Sequence, residues 1–136
     1  MRDIDFRGKR TDNGEWVEGY YYKAKYCRTD DELCDYITVP HPKEYNEPSS
    51  HYIVNPDTVG QYTGLKDKNG TKIFEGDIVK KFWFGKMCIY QIDYDNGLAS
   101  FIGRAGMKFT TFDYDSEEFE VVGNIHDNPE PLGGNG

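Results

Sequence analysis

A chain of 136 residues is long enough for one ordinary domain with a buried core. Only 37% of it is hydrophobic, and 21 aromatics (11 Tyr, 8 Phe, 2 Trp) carry much of that load. With 15 glycines and few helix-forming Leu and Ala positions, this excludes a helical bundle and points to a mainly β fold. The net charge of −8 counts against the basic surface usual in nucleic-acid binding and favours a solvated acidic face.

The N-terminal stretch alternates, with Ile4 and Phe6 on one side and Asp3, Asp5 and Arg7 on the other, the period of a half-buried strand. Asp12-Asn13-Gly14 is a turn signal because Asn and Gly tolerate positive φ. Trp16 to Tyr22 reads as the returning strand, so residues 2–23 are expected to form a hairpin connected through Gly8–Gly14. Residues 24–57 read as an irregular connection, sparsest in pattern over 24–51. Thr29-Asp30-Asp31-Glu32-Leu33 can cap a short helical turn. Ile37-Thr38-Val39 reads as a brief strand ended by Pro40, and Pro42, Pro48 and Ser49-Ser50 mark an exposed excursion.

Order returns at Tyr52-Ile53-Val54, and Pro56-Asp57-Thr58 suggests a single turn with Asp57 or Thr58 as cap. Gln61-Tyr62-Thr63 and Lys72-Ile73-Phe74 flank Asp67-Lys68-Asn69-Gly70, a strong hairpin signal. Glu75-Gly76-Asp77 then delivers the chain into Ile78–Phe84. Further short strands are expected over Met87–Tyr94, Leu98–Ile102, Met107–Phe112 and Phe119–Ile125. Short strands at such regular spacing fit a small, strongly bent barrel of SH3-like type over 58–127. Residues 128–136, rich in Pro, Gly and Asn, form a flexible tail in this reading. The whole is one unit with little helix.

Three segments resemble the YopX family of small proteins from bacteriophages and prophages of Gram-positive bacteria. They are Ile4-Asp5-Phe6-Arg7, the block from Thr58-Val59-Gly60-Gln61-Tyr62-Thr63-Gly64-Leu65-Lys66-Asp67 through Glu75-Gly76-Asp77-Ile78-Val79, and the closing Val122-Gly123-Asn124-Ile125-His126-Asp127-Asn128-Pro129. Together they cover about a third of the chain, spread over its length. Gly8-Lys9 stands where many members have Trp. The resemblance implies a phage-encoded cytoplasmic protein that forms homo-oligomers, and it implies no activity.

The same signature has a physical reading. Gly60, Gly64, Gly70 and Gly76 fall at strand ends, where positive φ or close backbone approach is wanted. Gln61 is expected to bond loop backbone, and Asp77 to accept backbone N–H bonds at the turn after Gly76. Glu75 is the nearest other acid, but the two are not arranged as a catalytic pair.

Candidate chemistry is thin. Cys27, Cys34, His41 and His51 are all zinc-ligand types, yet the spacing lacks the tight C-x2–4-C knuckle, and no metal or other cofactor is expected. Cys88, between Met87 and Ile89 in a strand, reads as a small core residue. His126-Asp127 is the one adjacent His–acid pair, and Asp113 and Asp115 share a strand face. Neither completes a nucleophile–base arrangement, so no catalytic residue is expected. Lys80, Lys81 and Lys86 flank Phe82-Trp83-Phe84, which superficially matches a stacking surface for nucleic acid. The simpler reading is an edge strand guarded by lysines, with an outward aromatic that packs on another subunit. Acidity is concentrated late: seven of the 24 acids lie from Asp113 onward with no Lys or Arg, leaving 17 acids against 16 bases before them.

Met1-Arg2-Asp3-Ile4-Asp5 has no apolar leader and no run approaches a membrane span, while three cysteines suit free thiols in a reducing cytoplasm. The resulting expectation is a non-catalytic, homo-oligomerising binding module with a host or phage protein as a further partner. A nucleic-acid-associated accessory protein is the alternative, and the candidate surface for either is Lys80, Lys81, Phe82, Trp83, Phe84 and Lys86.

Overall fold

The structure, a computed structural model, describes residues 5–25, 33–39, 50–83, 85–105, 108–110 and 118–127, without the side chains of Trp83, Lys108 and Phe109. It is mainly β. In chain order the strands are β1 (Phe6–Lys9), β2 (Trp16–Lys25), β3 (Leu33–Val39), β4 (Ser50–Ile53), β5 (Gly60–Lys66), β6 (Lys72–Phe74), β7 (Asp77–Trp83), β8 (Lys86–Asp95), β9 (Ser100–Ala105), β10 (Lys108–Thr110) and β11 (Glu120–Asn124). One sheet has the order β4-β3-β2-β1-β5-β6 and the other β10-β9-β8-β7-β11. The chain divides into two compact units inside β5, after Gln61.

In the first unit, the turn predicted at Asp12-Asn13-Gly14 joins β1 to β2, with Gly14 at φ +73°. β1 pairs antiparallel with β2 and, at Phe6↔Gln61, with the start of β5. β2 continues past the expected hairpin to Lys25, because Tyr20–Lys25 pair with β3. The segment read as irregular therefore contains two strands, β3 and β4, held in register from Tyr36↔Ile53 to Val39↔Ser50. The alternation of β3 was hidden because its inward positions include a carboxylate. Asp35, 8% exposed, accepts a short hydrogen bond from the Tyr21 hydroxyl, which lets a charge occupy a place where pattern reading wants an apolar side chain.

Ile37 and Val54 are the fully buried apolar residues described in this unit. β2 approaches β3 closely: a Cβ on Gly19 would lie 2.1 Å from the Thr38 carbonyl oxygen. The predicted single turn is a 3-10 turn over Pro56–Thr58. Its cap is Asn55 rather than Asp57 or Thr58, the Asn55 side chain accepting the Asp57 N–H at 3.0 Å.

In the second unit, β5 and β6 pair at Tyr62↔Phe74 and Lys66↔Lys72, as the Asp67–Gly70 signal predicts. Strands β7 to β10 then run as a meander, with β11 returning to the far side of β7. Its core is Ile73, Val79, Ile92 and Phe119, with Leu65, Tyr90, Phe101 and Val121 packed around it.

The expected SH3-like closure is not found. Among the described residues β10 and β11 stand at opposite ends of the five-stranded order. Even spacing of short strands reports a meander, and a meander fits an open sheet as well as a barrel. Closure needs the outer strands to meet, which periodicity does not encode. β7 is also not the expected edge strand, since it pairs with β8 on one side and β11 on the other.

Candidate interaction surface

The signature run is built as turn machinery. Asp67, almost wholly buried, accepts N–H bonds from Asn69 and Thr71 on Oδ1 and from Val121 on Oδ2, each at 2.9 Å. One carboxylate thus closes the β5–β6 hairpin and fastens it to β11. Gly70, at φ +81°, completes the turn in a conformation that a side chain would strain. Asp77, 1% exposed, accepts the Phe74 N–H at 2.8 Å, the backbone role expected for it. Gly64 and Gly76 also have positive φ, whereas Gly60 does not. The Gly76 N–H donates to Ile92 O at 2.9 Å and its carbonyl accepts from Ile125 at 3.0 Å.

The closing family segment is a turn of the same kind. Asn124 Oδ1 accepts the N–H groups of His126 and Asp127 at 3.0 and 2.9 Å, and its Nδ2 donates to Asp127 Oδ2 at 3.0 Å. The geometry at His126 and Asp127 is that of a turn.

β7 positions the predicted surface. Ile78 and Val79 are buried at its start, and the strand then emerges. Lys81 is only 6% exposed by residue: its stem is covered, while its ammonium lies 3.0 Å from Glu118 Oε2 and 5.3 Å from the Phe119 ring centre. This is a buried lysine whose charge is met by an ion pair and a cation–π contact. Lys80 reaches Glu120 Oε2 at 3.1 Å, and Lys68 approaches the same oxygen at 3.9 Å. The Lys80 hydrogen bond, more than any other contact, holds the Glu120 carboxyl below its ordinary range.

Phe82 is 67% exposed and pairs across the ladder with Met87, which is 44% exposed. These two and the Lys–Glu pairs line a shallow hollow of about 150 Å³. Lys86 is exposed beside them. Phe84 and the Trp83 side chain lie outside the described residues. Lys80, Lys81 and Phe82 thus line one hollow, with Lys81 buried and Phe82 exposed. The structure also adds what sequence reading missed: Glu118 and Glu120, from β11 and the residues before it, neutralise the lysines. Register between strands forty residues apart leaves no local signal for that.

Of the four residues of zinc-ligand type, Cys27 and His41 lie outside the described residues. Cys34 is a half-buried free thiol. The His51 Nδ1 is 2.8 Å from Thr38 Oγ1 and 3.1 Å from the Tyr22 hydroxyl. Cys88 is half-buried rather than core. Asp113 and Asp115 are also outside the described residues. Among the described residues no helix is long and apolar enough to cross a membrane.

A mainly β protein of two antiparallel sheets, whose marked glycines and carboxylates serve turns, is the class these features define. The chain belongs to the YopX family: the family's sequence model, described as YopX protein, matches residues 5–133. Among solved structures the chain is similar to protein EF1440 from Enterococcus faecalis, with 27% identity over 96% of this chain and 98% of that one and a TM-score of 0.51. No curated protein matches it.

Proposed function

We propose that the protein is a non-catalytic, homo-oligomerising binding module whose copies meet through the face of β7 and β8. The observation that carries this reading is the exposed Phe82–Met87 pair beside lysines and glutamates that line the same hollow. In a two-fold interface the same patch meets itself, so each residue that contacts a second is contacted by it in return. Lysines of one copy then face glutamates of the next around a central apolar contact, the core-and-rim pattern of protein interfaces. The use of Asp67 and Asp77 to hold backbone supports a structural rather than catalytic role for the signature. Service to a phage or prophage in the cytoplasm of its bacterial host, alongside a host or phage protein partner, rests on the family resemblance alone. Nucleic acid on this face is the weaker reading, because Lys80 and Lys81 already face glutamates.

Size-exclusion chromatography with light scattering should return a multiple of 15.7 kDa, and Phe82→Asp should return the monomer mass. A parent chain that runs as a clean monomer at micromolar concentration sinks the proposal.

A further inference from the structure

The solvent face of the first unit carries a second aromatic surface, unrelated to β7. Alternation along β2 puts Trp16, Tyr20 and Tyr22 on one side of the sheet. Register extends that side across β3 and β4, since Tyr22 is opposite Tyr36, and Tyr20 is opposite Thr38, which is in turn opposite His51. Tyr20 is 63% exposed, and Tyr22 and His51 are exposed as well. The rings are ordered relative to one another. Tyr22 stacks on Tyr36 with centres 5.2 Å apart and planes 13° from parallel, and His51 meets Tyr22 edge-on at 6.3 Å. The shared hydrogen bonds at His51 Nδ1 fix the Tyr22 and Thr38 hydroxyls.

Cations bound this surface at one end. On β1, Lys9 is opposite Trp16 and Arg7 opposite Glu18, so both basic residues fall on the aromatic side. The Arg7 guanidinium lies 4.6 Å and the Lys9 ammonium 5.5 Å from the Trp16 ring centre. Stacked cation and ring make a flat platform that carries two basic side chains, with one exposed acid, Glu18, opposite Arg7 on the same side.

From this arrangement we infer that the β1–β4 face is a low-affinity stacking site for single-stranded nucleic acid. Bases stack on Tyr20 and the Tyr22–Tyr36 pair, and phosphates lie against Arg7 and Lys9. Two features select this occupant. Same-side residues two apart on a strand are separated by about 6.8 Å, a step that an extended polynucleotide matches with one base per ring. Aromatic faces beside cations are how sheets take single strands, because every base offers a π-face and every linkage a charge. A duplex fits poorly, since its bases are already stacked. The net charge of −8 keeps the affinity low and makes it depend on this one face. The inference is independent of self-association through β7.

The test is fluorescence anisotropy with a labelled single-stranded oligothymidylate, and with a labelled duplex of the same length, at low salt. The single strand should bind more tightly than the duplex. Two phosphate contacts predict a slope of log affinity against log salt of about −1.4, and Lys9→Gln should flatten it by about 0.7. Tyr20→Ala and Tyr22→Ala should each weaken binding about 5- to 150-fold, the worth of one base stack, while Tyr20→Phe retains it. Phe82→Asp should leave binding unchanged. Absence of single-strand binding at about 20 mM salt, where the electrostatic contribution is strong, overturns the inference. So does binding indifferent to both tyrosine truncations, or a surface that takes a proline-rich peptide in place of the oligonucleotide. Circular dichroism of each variant separates a lost site from a lost fold.

Discussion

In the second unit, Ile73, Val79, Ile92 and Phe119 form a single buried cluster, and the carboxylates at its margin, Asp67 and Asp77, accept backbone N–H groups. In the first unit the fully buried apolar residues described are Ile37 and Val54, and the buried carboxylate, Asp35, is met by a side chain on the neighbouring strand. The difference lies in what each carboxylate does. Asp67 accepts from two N–H groups at the turn and one on β11, so its removal takes the acceptor from three donors at once. Asp35 is one half of a pair between two strands already joined by their own ladder. The second unit is therefore specified by local turn chemistry around an apolar core, and the first by contacts across strands.

That contrast predicts unequal losses. Asp67→Ala should be the most damaging change, removing the buried acceptor of three N–H groups at a cost of about 2–4 kcal/mol. Urea denaturation measures it, and a loss under about 1 kcal/mol would mean that water replaces the carboxylate and the turn does not depend on it. Tyr21→Phe should cost less, about 1–2 kcal/mol, by leaving Asp35 without its hydroxyl donor. The same pair sets an alkaline signature. Burial, reinforced by the Asp35 bond, pushes the Tyr21 hydroxyl up from 10.0 to about 12. A group whose folded pKa is raised contributes stability that is complete below its unfolded value and lost as pH climbs through the folded one. The parent should thus lose stability between pH 10.0 and about 12 more steeply than Tyr21→Phe does. Parallel curves for the two proteins would show that the pair is not coupled to folding.

Legibility followed the same division. The Asp67–Gly70 turn, the β5–β6 hairpin and the backbone role of Asp77 were readable because the residues and the groups they serve are within four positions of each other. β3 was readable only at Ile37-Thr38-Val39, since Asp35 interrupts the apolar pattern and its partner is fourteen residues away. Gly19 looked like an ordinary strand glycine, yet its need is set by the Thr38 carbonyl, which no local rule identifies. At the β7 surface, Lys80, Lys81 and Phe82 were found by composition. Their pairing with Glu118 and Glu120 came from β11 register, and it changed the chemistry from cationic to balanced. The tyrosine face had a signal, aromatics on alternate positions of β2, but its meaning depended on Tyr36 and His51 arriving beside it.

The smallest expected effect concerns acid, and it separates the two units by where depressed carboxyls sit. Asp12 in the first unit is held below 3.8 chiefly by its hydrogen bond with Arg10. In the second unit, Asp95 is held below 3.8 first by the Leu98 N–H, then by that of Gly97 and by Arg104, and Glu120 is held below 4.5 first by Lys80. Each such group stabilises the fold above its unfolded value, and that contribution disappears as pH falls through the folded one. Glu120 should respond first on acidification because its reference value is the higher. Asp12 is exposed and Asp95 and Glu120 are half-buried at the surface, so salt still screens them and the effect is modest. Between pH 5 and pH 3, a range that brackets these references, the urea midpoint of Glu120→Gln should fall less than that of the parent. Adding salt should narrow the gap. An equal fall in both proteins would show that the Lys80–Glu120 pair holds the side chains in place without contributing to stability. Glu120 would then matter for the face it presents rather than for the sheet it joins.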